Sequence, residues 1–387
     1  MSGARRLWLQ IHRWLGLSGG LVLVVVGLSG SFLAFYPEID GALNPDWVRT
    51  QPRGSPLPMQ LVLDSARQAM PQRFLHSVFP AADAHEVHHV WFTPSAEDQS
   101  AMWQVLVDPY TAKVLGSRAA VPTMEFTRRN IVNTIYTLHF QLFAGDIGAT
   151  VVGFAGLVLL ASGLSGVVLW WPRGRSFRAG LTMKAGSRGI RLNYDLHRVA
   201  GIYSVAALVV VAFTGVYLTF PGYVVPLVRV ATTVASSPKL DPLPPAEGAA
   251  IDADGALSRA TTLVVGGARV TCLWLPGASG PAWRVTLRSP QGVGWAGGPA
   301  NVWLHPLGGA VLASRVHSQG SAGDTFIAWQ LPLHGGTAFG LVGRVLVCLL
   351  GFVPLLMAIT GAAIRWRKRR GRRAHSTVRL RANHGSL

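Results

Sequence analysis

Cysteine is almost missing from this chain, with two residues in 387. That excludes a disulfide-built scaffold, and Cys348 sits inside an apolar run out of keeping with a bridge to Cys272. Charge is sparse too, at 13% of residues, and acids are the scarcer kind: 17 Asp+Glu against 35 Lys+Arg, a formal net charge of +18. A soluble nucleic-acid binder with that surplus is normally rich in charge and poor in long apolar runs, so no nucleic-acid partner is expected. Also lacking are a strand–Gly-rich–helix unit for a dinucleotide, a nucleophile elbow and a His-Glu-x-x-His pair. Hydride collection from a nicotinamide and hydrolysis therefore have no support. What is present is apolar: 50% of residues are hydrophobic, mean hydropathy is +0.34, and 13 tryptophans argue against disorder. A membrane protein with segregated positive charge is the class that remains.

Four stretches can cross a hydrocarbon core of about 30 Å, which takes about 20 helical residues. They are roughly Trp14–Tyr36, Ile147–Trp171, Val199–Phe220 and Gly340–Ile364. The first far exceeds the roughly 7–15 apolar residues of a signal-peptide core, and no small-x-small cleavage site follows, so it reads as a retained span. Residues 1–13, 172–198 and those from Arg365 onward hold 19 bases and one acid, Asp195; the rest of the chain holds 16 of each. The whole surplus thus flanks the spans on one side, which the positive-inside rule makes cytoplasmic. The expected topology in a bacterial inner membrane has both termini inside. Segment 1–36 is the first cytoplasmic end and span, 37–135 an outer domain, 136–171 the second span with an outer histidine segment, and 172–195 a basic loop. Span three follows at 196–220, a second outer domain at 221–333, span four at 334–364 and a basic tail at 365–387.

The halves echo each other. His12-Arg13-Trp14-Leu15-Gly16 and then Ser29-Gly30 match His197-Arg198-Val199-Ala200-Gly201 and then Thr214-Gly215. Leu138-His139, Gly145, Gly148, Gly156, Ser165-Gly166 and Trp171 match Leu333-His334, Gly340, Gly343, Gly351, Thr360-Gly361 and Trp366 at one constant offset. Two like halves, each span–domain–span, are the reading. Each outer segment opens Pro-rich and predicts a helix (Gln60–Met70; Asp254–Leu263). Period-two strands follow at Phe74–Phe79, His89–Thr93 and Trp103–Val107, and at Val270–Leu275, Trp283–Leu287 and Val302–His305. Each segment then has a hairpin in which Pro109 or Pro306 is followed by small residues, which is turn chemistry. Two small α+β domains are expected.

The strand–Asp108-Pro109-x-Thr111-x-x-Val114-Leu115 hairpin resembles the PepSY domain, and His-Arg-x-x-Gly at the head of a span resembles PepSY-associated transmembrane proteins. The resemblance covers essentially the whole chain. It departs at His305, where the family's Asp would stand. The family includes inner-membrane haem proteins that are ferric-siderophore reductases of the ferrioxamine type. The resemblance therefore implies an oxidoreductase of iron acquisition with a ferric siderophore as acceptor. Composition and spacing do not reach that far.

Of twelve histidines, four recur at matched positions beside spans: His12 with His197, and His139 with His334. A histidine there is costly unless it has a task, and two neutral imidazoles facing across a bundle can take both axial positions of a haem iron. Two haems of b type, one per pair, are the expectation. Gly16, Gly19 and Gly20, and Gly201 with Ser204, would leave room beside the inner ligands. Small residues at such spacing also serve plain helix packing in membranes. Arg13 and Arg198 are candidates for haem propionates or are simply positive-inside residues.

His139 and His334 each lie 32 residues before a tryptophan, Trp171 or Trp366, which is about 48 Å of straight helix and too long for the core. Either they project into the outer layer, or the helices break near Gly145 and Gly340. Arg344 inside span four needs a partner, a propionate or Asp146. His85-x-x-His88-His89 reads as a solvated strand edge rather than a metal cluster. Trp14, Trp170, Trp171 and Trp366 read as interface anchors first and electron relays second. With no flavin or dinucleotide unit, electrons must come from a membrane quinol or a cytoplasmic donor docking on the positive face. The rival is a non-enzymatic, membrane-anchored PepSY protein that binds partners or restrains a peptidase; a transporter is less in keeping with spans that carry no acid.

Overall fold

The computed structural model of the chain describes residues 3–172, 177–263, 268–288, 299–315 and 320–367. Arg173, Arg175 and the basic tail from 368 onward lie outside the described residues. The helices are α1 (Gly3–Leu33), α2 (Tyr36–Leu43), α3 (Pro45–Val48), α4 (Met59–Ala69), α5 (Ile131–Gln141), α6 (Gly145–Trp170), α7 (Phe177–Leu181), α8 (Gly189–Thr219), α9 (Pro221–Ala231), α10 (Ala253–Leu263), α11 (Ala322–His334) and α12 (Gly340–Gly351). Four helices are long and apolar enough to cross a membrane: α1, α6, α8 and a fourth running Thr337–Arg367, of which α12 is the first part. They begin up to eleven residues before the apolar stretches do, because the basic flanks continue the helix. Glycine sets the crossings. A Cβ on Gly351 would stand 2.3 Å from the Gly27 carbonyl oxygen of α1, and one on Gly156 would stand 2.8 Å from Val216 of α8. These matched glycines join each half to the other half's leading span by close backbone approach, the usual adhesive in lipid.

The eight strands are β1 (Phe74–Phe79), β2 (His88–Thr93), β3 (Met102–Val107), β4 (Val114–Val121), β5 (Arg269–Trp274), β6 (Trp283–Arg288), β7 (Pro299–Leu304) and β8 (Val311–Arg315). The alternation of buried residues in sequence placed most of these within a residue or two. The two small α+β units are joined edge to edge. The strands form one antiparallel sheet in the order β4-β3-β2-β1-β5-β6-β7-β8, joined where Ser77 pairs with Trp274 and Val78 with Leu273. One core serves both halves: Val62, Leu63 and Ala66 of α4 and Ala253, Ala256 and Ala260 of α10 cover Val78, Val90, Phe92, Leu273, Val285 and Val302. Each fully buried Leu or Phe there contributes about 1.5–3 kcal/mol. The helices also cap across the join. Asp254 of α10 accepts hydrogen bonds from the Met59 and Gln60 amides at 2.7 and 2.9 Å, and the Ala253 amide donates to Gln60 Oε1 at 3.2 Å. An acid at a helix N-terminus meets unsatisfied N–H groups, so each half closes the other's helix end.

Strand alternation turns the opposite face toward the spans. There Arg118 of β4 makes a bidentate pair with Asp40 of α2 at 2.9 and 2.6 Å and donates to Gln104 at 2.8 Å, and Gln104 donates to His89 Nδ1 at 2.8 Å. Burial alone would raise the Asp40 carboxyl, but the bonds and charge of Arg118 outweigh it and hold the pKa below its ordinary value. In β8, Arg315 pairs with Asp324, the N3 acid of a capping box that starts α11 at Ser321. These two arginines fasten the outer strands to the helices leading into and out of the membrane.

The His85-x-x-His88-His89 run is corrected. β2 is an interior strand, bonded to β1 and β3, and His88 and His89 point to opposite faces. Burial pulls the pKa of each down to about 4. Their unfolded value is about 6.5, so below that pH the unfolded chain binds protons the native one refuses, and stability falls as pH drops toward 4. Going from about pH 7.5 to about pH 5 should cost about 2 kcal/mol for each histidine. Thermal melting at the two pH values checks this; an unchanged midpoint would refute it.

The hairpins answer what Asp108 does. Its Oδ1 accepts from the Tyr110 and Thr111 amides at 2.8 and 3.1 Å, and its Oδ2 accepts from the Thr50 hydroxyl. In the second hairpin His305 Nδ1 accepts from the Leu307 amide at 3.0 Å. The imidazole replaces the carboxylate as the turn's acceptor, so at this position the residue's task is to hold the turn.

Candidate functional site

The four matched histidines come together in two pairs. His12 of α1 and His197 of α8 face each other at the basic end of the bundle, ring centres 6.2 Å apart and planes at 89°. His139 of α5 and His334 of α11 do so at the sheet end, 6.1 Å apart and at 58°. Two imidazoles that share a metal between their Nε2 atoms stand with centres about 6 Å apart, given metal–nitrogen bonds of about 2 Å.

The length difficulty with the outer pair is resolved by broken helices. After α5 the chain turns through Leu142 and Phe143, both left-handed, into Gly145 at φ 56°; after α11 it turns through Gly336 at φ 75° and Gly340 at φ 58°. A Cβ on Gly148 would lie 1.6 Å from the Gln141 carbonyl oxygen, and one on Gly343 would lie 2.1 Å from that of Gly336. Only glycine lets each span start this close to the short helix before it. α5 and α11 therefore bring their histidines against α1 and α8, within the bundle rather than out in the sheet layer.

Each histidine is held in the same way, by a hydroxyl–glycine dipeptide that sequence reasoning quoted as an echo without assigning it a task. His12 Nδ1 lies 2.9 Å from Ser165 Oγ, and His197 Nδ1 lies 2.9 Å from Thr360 Oγ1. His139 Nδ1 lies 3.1 Å from Ser29 Oγ and 3.0 Å from the Val26 carbonyl; His334 Nδ1 lies 3.1 Å from Thr214 Oγ1 and 3.1 Å from the Val211 carbonyl. Each hydroxyl donates its own proton back to a carbonyl of its helix. It can then only accept from the imidazole, and a carbonyl can do nothing else. Nδ1 therefore carries the proton in all four rings, which leaves a lone pair on Nε2. The glycine beside each outer hydroxyl makes room for the ring, since a Cβ would stand 3.0 Å from His139 Cε1 at Gly30 and 3.1 Å from His334 Cε1 at Gly215; at Gly166 and Gly361 it would meet His12 and His197 at ordinary contact distances of 3.5 and 3.7 Å. The signal was legible as a Ser/Thr-Gly dipeptide recurring at matched positions in the two halves.

The remaining candidates divide. Gly16 and Gly20 have nothing within 4 Å of where a Cβ would be, so they do leave open space near His12, whereas Gly19 packs against Val158 as an ordinary helix contact. Arg13 is exposed on α1. Arg198 donates to the Thr182 carbonyl at 2.7 Å and pairs with the wholly buried Asp195 at 3.2 Å, while its buried Nε meets no acceptor. Arg344 has a partner that sequence did not name. It donates to Glu38 Oε1 at 2.7 Å and to the Ala34 carbonyl at 2.8 Å, and Asp146 is not involved. Trp171 and Trp366 are more than half exposed, and Trp170 donates to the Gly180 carbonyl at 3.0 Å, in keeping with anchoring at the membrane surface.

The family model for the PepSY-associated TM region matches residues 9–369. The chain belongs to that family. The PepSY-associated TM match spans all four histidines and all four hydroxyl–glycine seats. No curated protein matches the chain.

Proposed function

We propose that this PepSY-associated TM protein is a b-type haem reductase of the bacterial inner membrane, carrying electrons from the cytoplasmic side to a ferric siderophore in the periplasm. The observation that supports it most is the pair of 6.2 and 6.1 Å imidazole spacings, each with Nδ1–H engaged and Nε2 free. Among the described residues no group of three or more His, Cys, Asp or Glu gathers as a metal cage. Each pair offers two imidazoles and no further ligand among those residues, a donor set that would hold a b-type haem. Bound between each pair, haem would supply a one-electron ferric–ferrous couple.

The chain's own residues do the rest. The hydroxyl and carbonyl acceptors fix ring tautomer and orientation, as the outer partners of metal-bound histidines do. Arg198, next to His197 in the chain and with an Nε that meets no acceptor, would hold a propionate there. His12 and Ser29, the seat of His139, lie 17 residues apart on α1, so the two pairs stand about 26 Å apart along one helix. Electrons would come from a membrane quinol or from an acidic electron carrier, which the positive charge at the basic end would draw. One added electron weakens the hold of hard oxygen ligands on iron, so reduction at the sheet end would release the metal. Absorption of the purified protein tests the reading: a b-type Soret band that shifts with dithionite is expected, and its absence would sink the proposal.

A further inference from the structure

The sheet face turned toward the spans carries a row of directly paired residues: Arg118, Gln104, Trp91, Ser77, Trp274 and Arg284. The row crosses the join between halves. At its near end Arg118 is neutralised by Asp40, and the equivalent arginine of the other half, Arg315, is neutralised by Asp324. Arg284 is not. No carboxylate among the described residues pairs with it, its Nε is buried without an acceptor, and its guanidinium carbon lies 4.0 Å from the Trp274 ring centre. The position it occupies corresponds to His89 in the first half, which is uncharged and bonded to Gln104. Arg284 is therefore a cation without a carboxylate partner among the described residues, close to the join between halves and propped on an aromatic ring, with Trp91 and Phe79 nearby.

A half-buried arginine without a counter-ion is costly, and an anion that supplies the missing acceptor recovers that cost. Burial pulls the Arg284 pKa below its ordinary value, as expected of a cation that lacks a carboxylate. Carboxylate oxygens bind a guanidinium two at a time, so a carboxylate-bearing anion suits an arginine propped on Trp274. The face looks toward the end of the bundle that holds His139 and His334.

We propose that Arg284 on Trp274 is the recognition point for the electron acceptor and selects negatively charged, carboxylate-bearing ferric chelates over cationic ones. This inference rests on the reductase reading for why an iron chelate should come here, but its test needs no electron transfer. Titrate the purified protein in zwitterionic-lipid nanodiscs with gallium(III) citrate, a redox-inert stand-in, and follow heat. Saturable binding is expected, weaker by about tenfold or more in Arg284→Gln and partly restored in Arg284→Lys. The gallium complex of a cationic trihydroxamate should bind less tightly than the citrate complex. Equal affinity in Arg284→Gln, tighter binding of the cationic complex, or equal binding of citrate without metal would each overturn the proposal. Because gallium cannot be reduced, these results stand whether or not the protein holds haem, and a missing Soret band would fail the reductase reading alone. The melting curve of Arg284→Lys, which keeps the charge and the stem, shows whether any loss reflects misfolding.

Discussion

If each histidine pair holds a haem as proposed, replacing His139 by alanine should lower the haem content of the purified protein from two per chain to one, and replacing His12 should do the same at the other site. The two losses should be distinguishable, because the inner pair lies at the basic end of the bundle and the outer pair at the sheet end. Their reduced spectra and midpoints should therefore differ. Either substitution should cut transmembrane electron transfer at least about 100-fold, since removing a ligand costs more than the 10–100-fold typical of removing its outer partner. His12→Ala with His139→Ala should leave no haem. Retention of two haems in both single variants, measured by pyridine haemochrome, would refute the ligand assignment.

Gly148→Ala is expected to act almost as strongly, from a position that touches no ligand. Its Cβ would fall 1.6 Å from a backbone oxygen, and no rotamer change can relieve a clash with main chain. α5 has to move away from α6, carrying His139 from its seat on Ser29. Overpacking of this kind costs roughly 3 kcal/mol or more. The expected phenotype is a lower melting temperature together with loss of the outer haem while the inner one stays. Gly343→Ala should repeat it through His334, because the contact there is with the Gly336 carbonyl. Gly222→Ala, where nothing lies within 4 Å, serves as the silent comparison. A Gly148→Ala protein with an unchanged melting curve and full haem would show that the joint is not what places His139.

Much of this was legible in the sequence, for identifiable reasons. The spans follow from apolar length, the strands from alternation, and the histidine pairs from recurrence at a fixed offset. The fusion of two four-stranded sheets was not legible, because Ser77–Trp274 and Val78–Leu273 pair strands almost two hundred residues apart, and backbone pairing leaves no mark in side-chain pattern. Glu38 as the partner of Arg344 was missed for a similar reason: α2 returns it to the membrane surface beside another span. The seats were visible but unread. Serine or threonine before glycine is common in membrane helices, and only the imidazole 2.9–3.1 Å away gives it a meaning.

Every seat is built within one half: His12 on Ser165, His139 on Ser29, His197 on Thr360, His334 on Thr214. Every pair is built between halves. A metal held by either pair is then a rivet through the seam of the molecule, and filling the sites and closing the seam become one event. A chain of a single half, meeting a second copy of itself about a two-fold axis, would already possess both sites. The two halves nonetheless differ on the sheet, where Arg284 stands in the place that the uncharged His89 takes in the first half.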